Sequence, residues 1–154
     1  MSILRDTAQN GQAKAVKLLL DRGADIQAKD PVSWAPLLHY AAYYEHVEAV
    51  KLLLDRGADI EANSVENITA LHCAAQNEHV EVVKLLLYQG TKIEAINADN
   101  STALHYAAYN GHVEMAKLLL NRGAKIGAKD ADNWIMFHYA ASNRHVEVVK
   151  LLLD

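Results

Sequence analysis

This 154-residue chain holds one cysteine, two prolines and seven glycines. A single thiol cannot close an internal disulfide, so no covalent staple supports the fold. So little proline and glycine leaves no Pro/Gly-rich linker, and no low-complexity tract or charge block interrupts the chain. No apolar run approaches the roughly 20 residues that a membrane-spanning helix requires. The start, Met1-Ser2-Ile3-Leu4-Arg5-Asp6, has neither a basic n-region nor an apolar h-region, so a signal peptide is not expected. The formal charge is −4, with acids and bases interleaved. A protein that grips phosphates shows a basic face, so nucleic acid is not expected as a partner. These absences point to an intracellular, cytoplasmic setting, or to laboratory expression, without membrane insertion.

What is present is a period. His39, His72, His105 and His138 stand 33 residues apart, and His46, His79, His112 and His145 keep the same step. Around the first row run Leu38-His39-Tyr40-Ala41-Ala42, Leu71-His72-Cys73-Ala74-Ala75, Leu104-His105-Tyr106-Ala107-Ala108 and Phe137-His138-Tyr139-Ala140-Ala141. A fixed period of this length marks a solenoid, whose small units bury their apolar faces only by stacking. With 51% hydrophobic and 22% charged residues, the chain suits one globular body. A stack offers an extended surface rather than an enclosed pocket, which favours binding over catalysis.

Residues 64–96 serve as the type unit. Thr69 is placed to cap a short helix through Leu71-His72-Cys73-Ala74-Ala75, where paired alanines let a neighbour approach closely. Glu78-His79 marks a turn. Val80-Glu81-Val82-Val83-Lys84-Leu85-Leu86-Leu87 has the apolar spacing of a second helix, with Glu81 and Lys84 paired on its wet side. Gly90 sits where a left-handed cap is needed. The stretch Ile93 to Asn100 is extended and ends in a polar tip.

The segments Thr102-Ala103-Leu104-His105-Tyr106-Ala107-Ala108, Gly111-His112-Val113-Glu114, Lys117-Leu118-Leu119-Leu120 and Arg122-Gly123-Ala124 resemble the ankyrin repeat. The resemblance covers essentially the whole chain as one domain, 1–154. It comprises a partial unit at 1–30 and units at 31–63, 64–96, 97–129 and 130–154. It implies an all-α solenoid of helix-turn-helix units with short β-hairpin-like fingers. It further implies that the first histidine row bonds the threonine hydroxyl and the finger backbone, and that the second ties one repeat's turn to the next. The family's usual role is to bind other proteins through the fingertips and the concave face of the first helices.

Several positions depart from the family pattern. Asn67, Asn100 and Asn133 stand where glycine is usual, and asparagine tolerates a left-handed backbone better than most residues. Leu37, Ala70, Ala103 and Met136 replace the usual proline. The stretch from Gly23 to His39 is one residue longer than Gly57 to His72, so the finger Asp30-Pro31-Val32-Ser33-Trp34-Ala35-Pro36 should carry a bulge or altered turn. Ile135 replaces the capping threonine, at an expected cost of about 1 kcal/mol. The sequence stops at Leu151-Leu152-Leu153-Asp154 without a polar terminal layer. That implies a fragment, an artificial sequence or a partner-covered end, and a protein that is monomeric or weakly self-associating through this end.

The eight histidines do not read as a metal site. Equivalent residues of stacked helices lie roughly 10 Å apart, whereas zinc ligands sit about 2 Å from the metal. No metal and no cofactor are expected. Cys73 follows His72 directly and is the weak catalytic candidate, but neighbours on a helix point about 100° apart. Its equivalents are Tyr40, Tyr106 and Tyr139, which makes it an inter-repeat packing position.

Residues that differ between units carry the information about a partner. After the alanine pairs come Tyr43, Gln76, Tyr109 and Ser142, then Tyr44, Asn77, Asn110 and Asn143. The fingertips offer Trp34, then Glu66 and Ile68, then Asp99 and Ser101, then Asp132 and Trp134. The expected partner surface is Trp34, Tyr43, Tyr44, Glu66, Ile68, Gln76, Asn77, Asp99, Ser101, Tyr109, Asn110, Asp132, Trp134 and Asn143. Aromatic side chains there combine area with a hydrogen-bonding edge. Trp34 and Trp134 are either anchors or end caps. The acids favour a partner presenting Lys or Arg.

The expected function is non-catalytic protein binding. One alternative is an artificial ankyrin-like scaffold with a thiol-hydrolase site at Cys73. Another is an engineered repeat scaffold without a natural target.

Overall fold

The computed structural model describes residues 3–154; Met1 and Ser2, where the first expected unit begins, lie outside the described residues. Ten helices occur among them: α1 (Ile3–Gln9), α2 (Ala13–Asp21), α3 (Leu37–Tyr43), α4 (Val47–Asp55), α5 (Ala70–Gln76), α6 (Val80–Tyr88), α7 (Ala103–Asn110), α8 (Val113–Asn121), α9 (Met136–Ser142) and α10 (Val146–Leu153). The odd-numbered helices stack as one layer and the even-numbered as the other, and each odd helix packs on the even helix that follows it. Residues 3–21 already contain both helices of the first unit.

The core is the repeat written four times. Ala41, Ala42, Ala74, Ala75, Ala107 and Ala108 are fully buried, as are Val50, Leu53, Val83, Leu86, Ala116 and Leu119. The alanines let first helices meet closely, and the branched side chains fill the layer between first and second helices. The opposite face of the second helices is wet, with Lys84–Glu81, Lys117–Glu114 and Lys150–Glu147 pairs of 3.1–3.2 Å. Gly90 ends α6 at φ +87°, and nothing lies within 4 Å of where its Cβ would be. Backbone angle, not crowding, demands glycine there.

The two histidine rows lace the stack in opposite directions. His39, His72 and His105 reach forward, each Nε2 meeting a carbonyl of the next finger, Ile68 at 2.6 Å, Ser101 at 3.0 Å and Trp134 at 3.1 Å. His46, His79, His112 and His145 reach back to the carbonyls of Gln9, Tyr43, Gln76 and Tyr109 at 2.7–2.8 Å. In two units Nδ1 also accepts the backbone N–H of the cap residue, Thr69 to His72 at 3.1 Å and Thr102 to His105 at 3.0 Å, with each hydroxyl 2.9 Å away. Ile135 keeps the N–H bond to His138 at 3.0 Å but has no hydroxyl to add. Arg5 takes the histidine place in the first unit and pairs with Asp30 of the next finger.

The fingers hold less β structure than a hairpin. The one bridge among the described residues is Lys29 with Pro36, in the longer first finger. The extra residue widens the turn there: the Trp34 N–H bonds the carbonyl of Asp30, four residues back, where Asn67, Asn100 and Asn133 bond three residues back, and Trp34 keeps their left-handed site at φ +54°. The later tips use Asn67, Asn100 and Asn133 at φ +56° to +61°. Successive tips are stitched by single backbone bonds, Val65 to Ser33, Ala98 to Glu66 and Ala131 to Asp99, at 3.3, 2.8 and 2.9 Å.

Candidate functional site: the first-helix face and finger row

The ends of α3, α5, α7 and α9, together with the fingertips, carry the side chains that differ between units. Their positions follow from the lacing. Once the alanine pairs and histidines are committed to neighbours, the last turn of each first helix is what remains to face outward. Tyr43 and Tyr44 are exposed on this surface, with ring centroids 5.0 Å apart in an edge-to-face pair. Tyr109 is 55% exposed at the far half. Gln76, Glu66, Asp99 and Asp132 are exposed, whereas Ile68 and Ser101 are half-buried at the finger bases.

The two tryptophans differ. Trp34 is 58% exposed and makes no aromatic contact among the described residues. It also holds a left-handed backbone, which costs a bulky residue about 1–2 kcal/mol. Trp134 is 37% exposed and folds back, its ring 5.0 Å from Tyr139 and 5.8 Å from His138. Trp34 projects; Trp134 packs.

The asparagines of the surface are partly committed. Asn77 and Asn110 are half-buried and donate from Nδ2 to the carbonyls of Cys73 and Tyr106 at 2.9 Å. Asn143 is exposed and donates to the Tyr109 carbonyl at 3.0 Å. Their amides donate to carbonyls in the last turns of first helices, and the Tyr109 carbonyl takes His145 as well.

Two of the clefts between fingers and first helices are lined by residues of the expected partner surface. The larger, about 490 Å³, lies between α3 and the second finger, with walls from Tyr40, Tyr43, Tyr44, Ser64, Val65, Ile68 and Cys73 and with Glu66 at its margin. The smaller, about 230 Å³, lies at Gln76, Asn97, Ser101, Tyr106, Tyr109 and Tyr139 and is more polar. Tyr40, Val65 and Ser64 are cleft residues absent from the expected partner surface. The signal available in the sequence was the joint change of Ser64 and Cys73, where the next two units hold Asn97 with Tyr106 and Asp130 with Tyr139.

The finger bases are electrostatically fixed. Asp30 accepts from the backbone amides of Ser33 and Val32 and pairs with Arg5, which together lower its carboxyl to about 2. Burial pulls Asp130 upward, but the Tyr139 hydroxyl and the amides of Trp134 and Asp132 outweigh it and keep the carboxyl low. Burial and the same bond to Asp130 push the Tyr139 phenol up to about 12. These carboxylates shape turns and are not free to bind or catalyse.

Cys73 is 8% exposed, and burial pushes its thiol up to about 12. None of the described hydrogen bonds reaches its sulfur. His72, the nearest base in sequence, spends Nδ1 on Thr69 and Nε2 on Ser101. The arrangement lacks what a thiolate nucleophile needs, a base or a positive field at the sulfur. No group of three or more His, Cys, Asp or Glu side chains among the described residues could hold a metal ion.

The family described as ankyrin repeats (3 copies) matches this chain over residues 2–64, 38–130 and 71–154. Among curated proteins, none matches.

Proposed function

This chain belongs to the ankyrin-repeat family, whose members are in general protein–protein interaction modules, and from that premise we propose that it binds a protein partner through the first-helix face and fingertips, without catalysis. The observation that carries the reading is the exposure of Tyr43, Tyr44 and Tyr109 at the ends of the first helices, with Trp34 exposed on a fingertip. The lacing histidines and fingertip bonds hold that surface in place before any partner arrives, so little ordering entropy opposes docking. Glu66, Asp99 and Asp132 along the finger row favour a partner segment carrying Lys or Arg. An intracellular location and a monomer, or a weak self-associate, belong to the same reading. No described helix is long and apolar enough to cross a membrane.

The thiol-hydrolase alternative has no support in the surroundings of Cys73. The test of the binding reading is selection of random twelve-residue peptides displayed against the native chain. Enriched peptides should bind the Tyr43→Ala/Tyr44→Ala/Tyr109→Ala chain at least about tenfold more weakly. Enriched peptides that ignore the triple substitution would place the binding surface elsewhere, and failure to enrich any would count against a peptide-binding face.

A further inference from the structure

Tyr40, Cys73, Tyr106 and Tyr139 are equivalent positions on the four central and C-terminal first helices. The three rings bond back to their own fingers: Tyr40 Oη lies 3.4 Å from Ser33 Oγ near the tip, Tyr106 Oη accepts from Asn97 Nδ2 at 2.9 Å, and Tyr139 donates to Asp130. Nine residues before Cys73 stands Ser64, where the next two units have Asn97 and Asp130. Both members of the pair are therefore short in the same unit, and the larger cleft opens at that place. Cys73 forms a small apolar floor there.

The last unit shows what such a slot accepts. The Tyr139 ring lies 5.9 Å from Tyr109, edge to face, and 5.0 Å from Trp134. The residues equivalent to Tyr109 and Trp134 around Cys73 are Tyr43 and Ile68, both in the wall of the cleft. The aromatic wall is present and its ring is missing.

Resting on the binding reading above, we propose that this cleft is the anchor pocket for one aromatic side chain of a partner peptide, with a neighbouring Lys or Arg of that peptide meeting Glu66. The ring would take the place that Tyr139 takes beside Tyr109, edge-on to Tyr43 and over Cys73. The charge preference follows from the finger row: no ion pair among the described residues engages Glu66, Asp99 or Asp132, so their field is not neutralised from within the chain. An aromatic anchor in a pre-shaped pocket is the kind of contact that dominates interface energy.

The test uses 4-methylphenol, the tyrosine side chain alone, titrated into the native chain and followed by backbone amide chemical shifts. Saturable shifts should centre on Tyr43, Ser64, Val65 and Cys73. They should vanish in Cys73→Tyr/Ser64→Asn, which fills the slot with the pair used at Tyr106 and Asn97. No saturable shift in the native chain, or shifts centred on Tyr109 and Tyr139, overturns the proposal without need of any variant. The peptides selected on the native chain supply a second arm: those carrying an aromatic beside a basic residue should bind the filled variant at least about tenfold more weakly. Selected peptides that bind the filled variant as well as the native chain, yet lose affinity on the triple tyrosine variant, would overturn the pocket while leaving the binding surface intact.

Discussion

The imidazole of His39 donates from Nε2 to the carbonyl of Ile68 at 2.6 Å, while its buried Nδ1 meets no partner. The cause is one residue. Pro36 occupies the cap position that Thr69 and Thr102 hold in later units, and proline has neither an N–H nor a hydroxyl to give. A buried acceptor left unpaired costs roughly 1–3 kcal/mol. Losing the proline costs about 0.4–1 kcal/mol through the unfolded chain. Pro36→Thr should therefore raise stability by about 1 kcal/mol. Pro36→Ala, which restores the N–H alone, should gain less. Urea unfolding midpoints at pH 7.5 decide the order.

Stability should be flat between about pH 6.5 and pH 8 and fall as the solution is acidified toward pH 4. Burial pushes His39 down to about 4 and also lowers His72, so both stay neutral in the fold while the unfolded chain takes up protons near the ordinary histidine value. A depressed histidine contributes fully above its unfolded value and loses that contribution as pH falls through the folded one. For His39 alone the loss amounts to about 3 kcal/mol. Asp30, lowered to about 2, acts only below its ordinary value of 3.8 and does not enter this window. Unfolding midpoints measured from pH 7.5 to 4.5 test this; a midpoint constant down to pH 4.5 contradicts it.

The turn before each second-row histidine predicts a second pair of variants. Gly111 has φ +72°, and a Cβ there would come within 2.5 Å of His145 Nδ1. Yet Glu45 and Glu78 hold the same left-handed site, at φ +61° and +58°, and sit 3.5 and 3.4 Å from the Nδ1 atoms of His79 and His112. A carboxylate evidently makes a place for itself where a methyl gains nothing. Gly111→Ala should cost more than the ~1–2 kcal/mol of left-handed strain, and Gly111→Glu less than Gly111→Ala. Thermal unfolding of both variants measures the difference.

Native Cys73 should react slowly with a disulfide reagent. A thiol held at about 12 is ionised in roughly one molecule in ten thousand at pH 8, and its sulfur is covered. Modification should follow opening of the stack, with a rate that rises with sub-denaturing urea. A fast reaction of the folded chain, insensitive to urea, would revive the catalytic alternative.

The stack was legible because its cause is local and repeated. The same leucines, alanines and histidines at a 33-residue step can only be buried by stacking, and the longer first finger announced its altered turn. The surface was less legible because sequence records variation but not direction. Trp34 and Trp134 look alike as fingertip residues; only coordinates show that Trp134 leans on Tyr139 while Trp34 has no ring to lean on. Asn77, Asn110 and Asn143 stand beside the variable positions, yet three of four units agree there. That agreement was itself a sign of their duty to helix-end carbonyls. The larger cleft needed two absences to be read together, the missing ring at Cys73 and the missing amide or carboxylate at Ser64.

The C-terminal layer should drive weak self-association. Leu38, Leu71 and Leu104 are at most 2% exposed because the next unit covers them, but their equivalent Phe137 is 36% exposed. On the same layer Val146 and Leu153 are exposed as well. Association through this layer alone pairs like with like and closes as a dimer. Association of this layer with the opposite end, where Leu18 is exposed, would instead continue into open chains. The two modes separate cleanly by variant. A closed dimer is weakened by Phe137→Lys and indifferent to Leu18→Lys, whereas open chains are weakened by either. Sedimentation across a hundredfold concentration range should show a dimer that Phe137→Lys alone removes. A native chain that stays monomeric throughout would mean that the exposed apolar area is too small to outweigh the entropy of association.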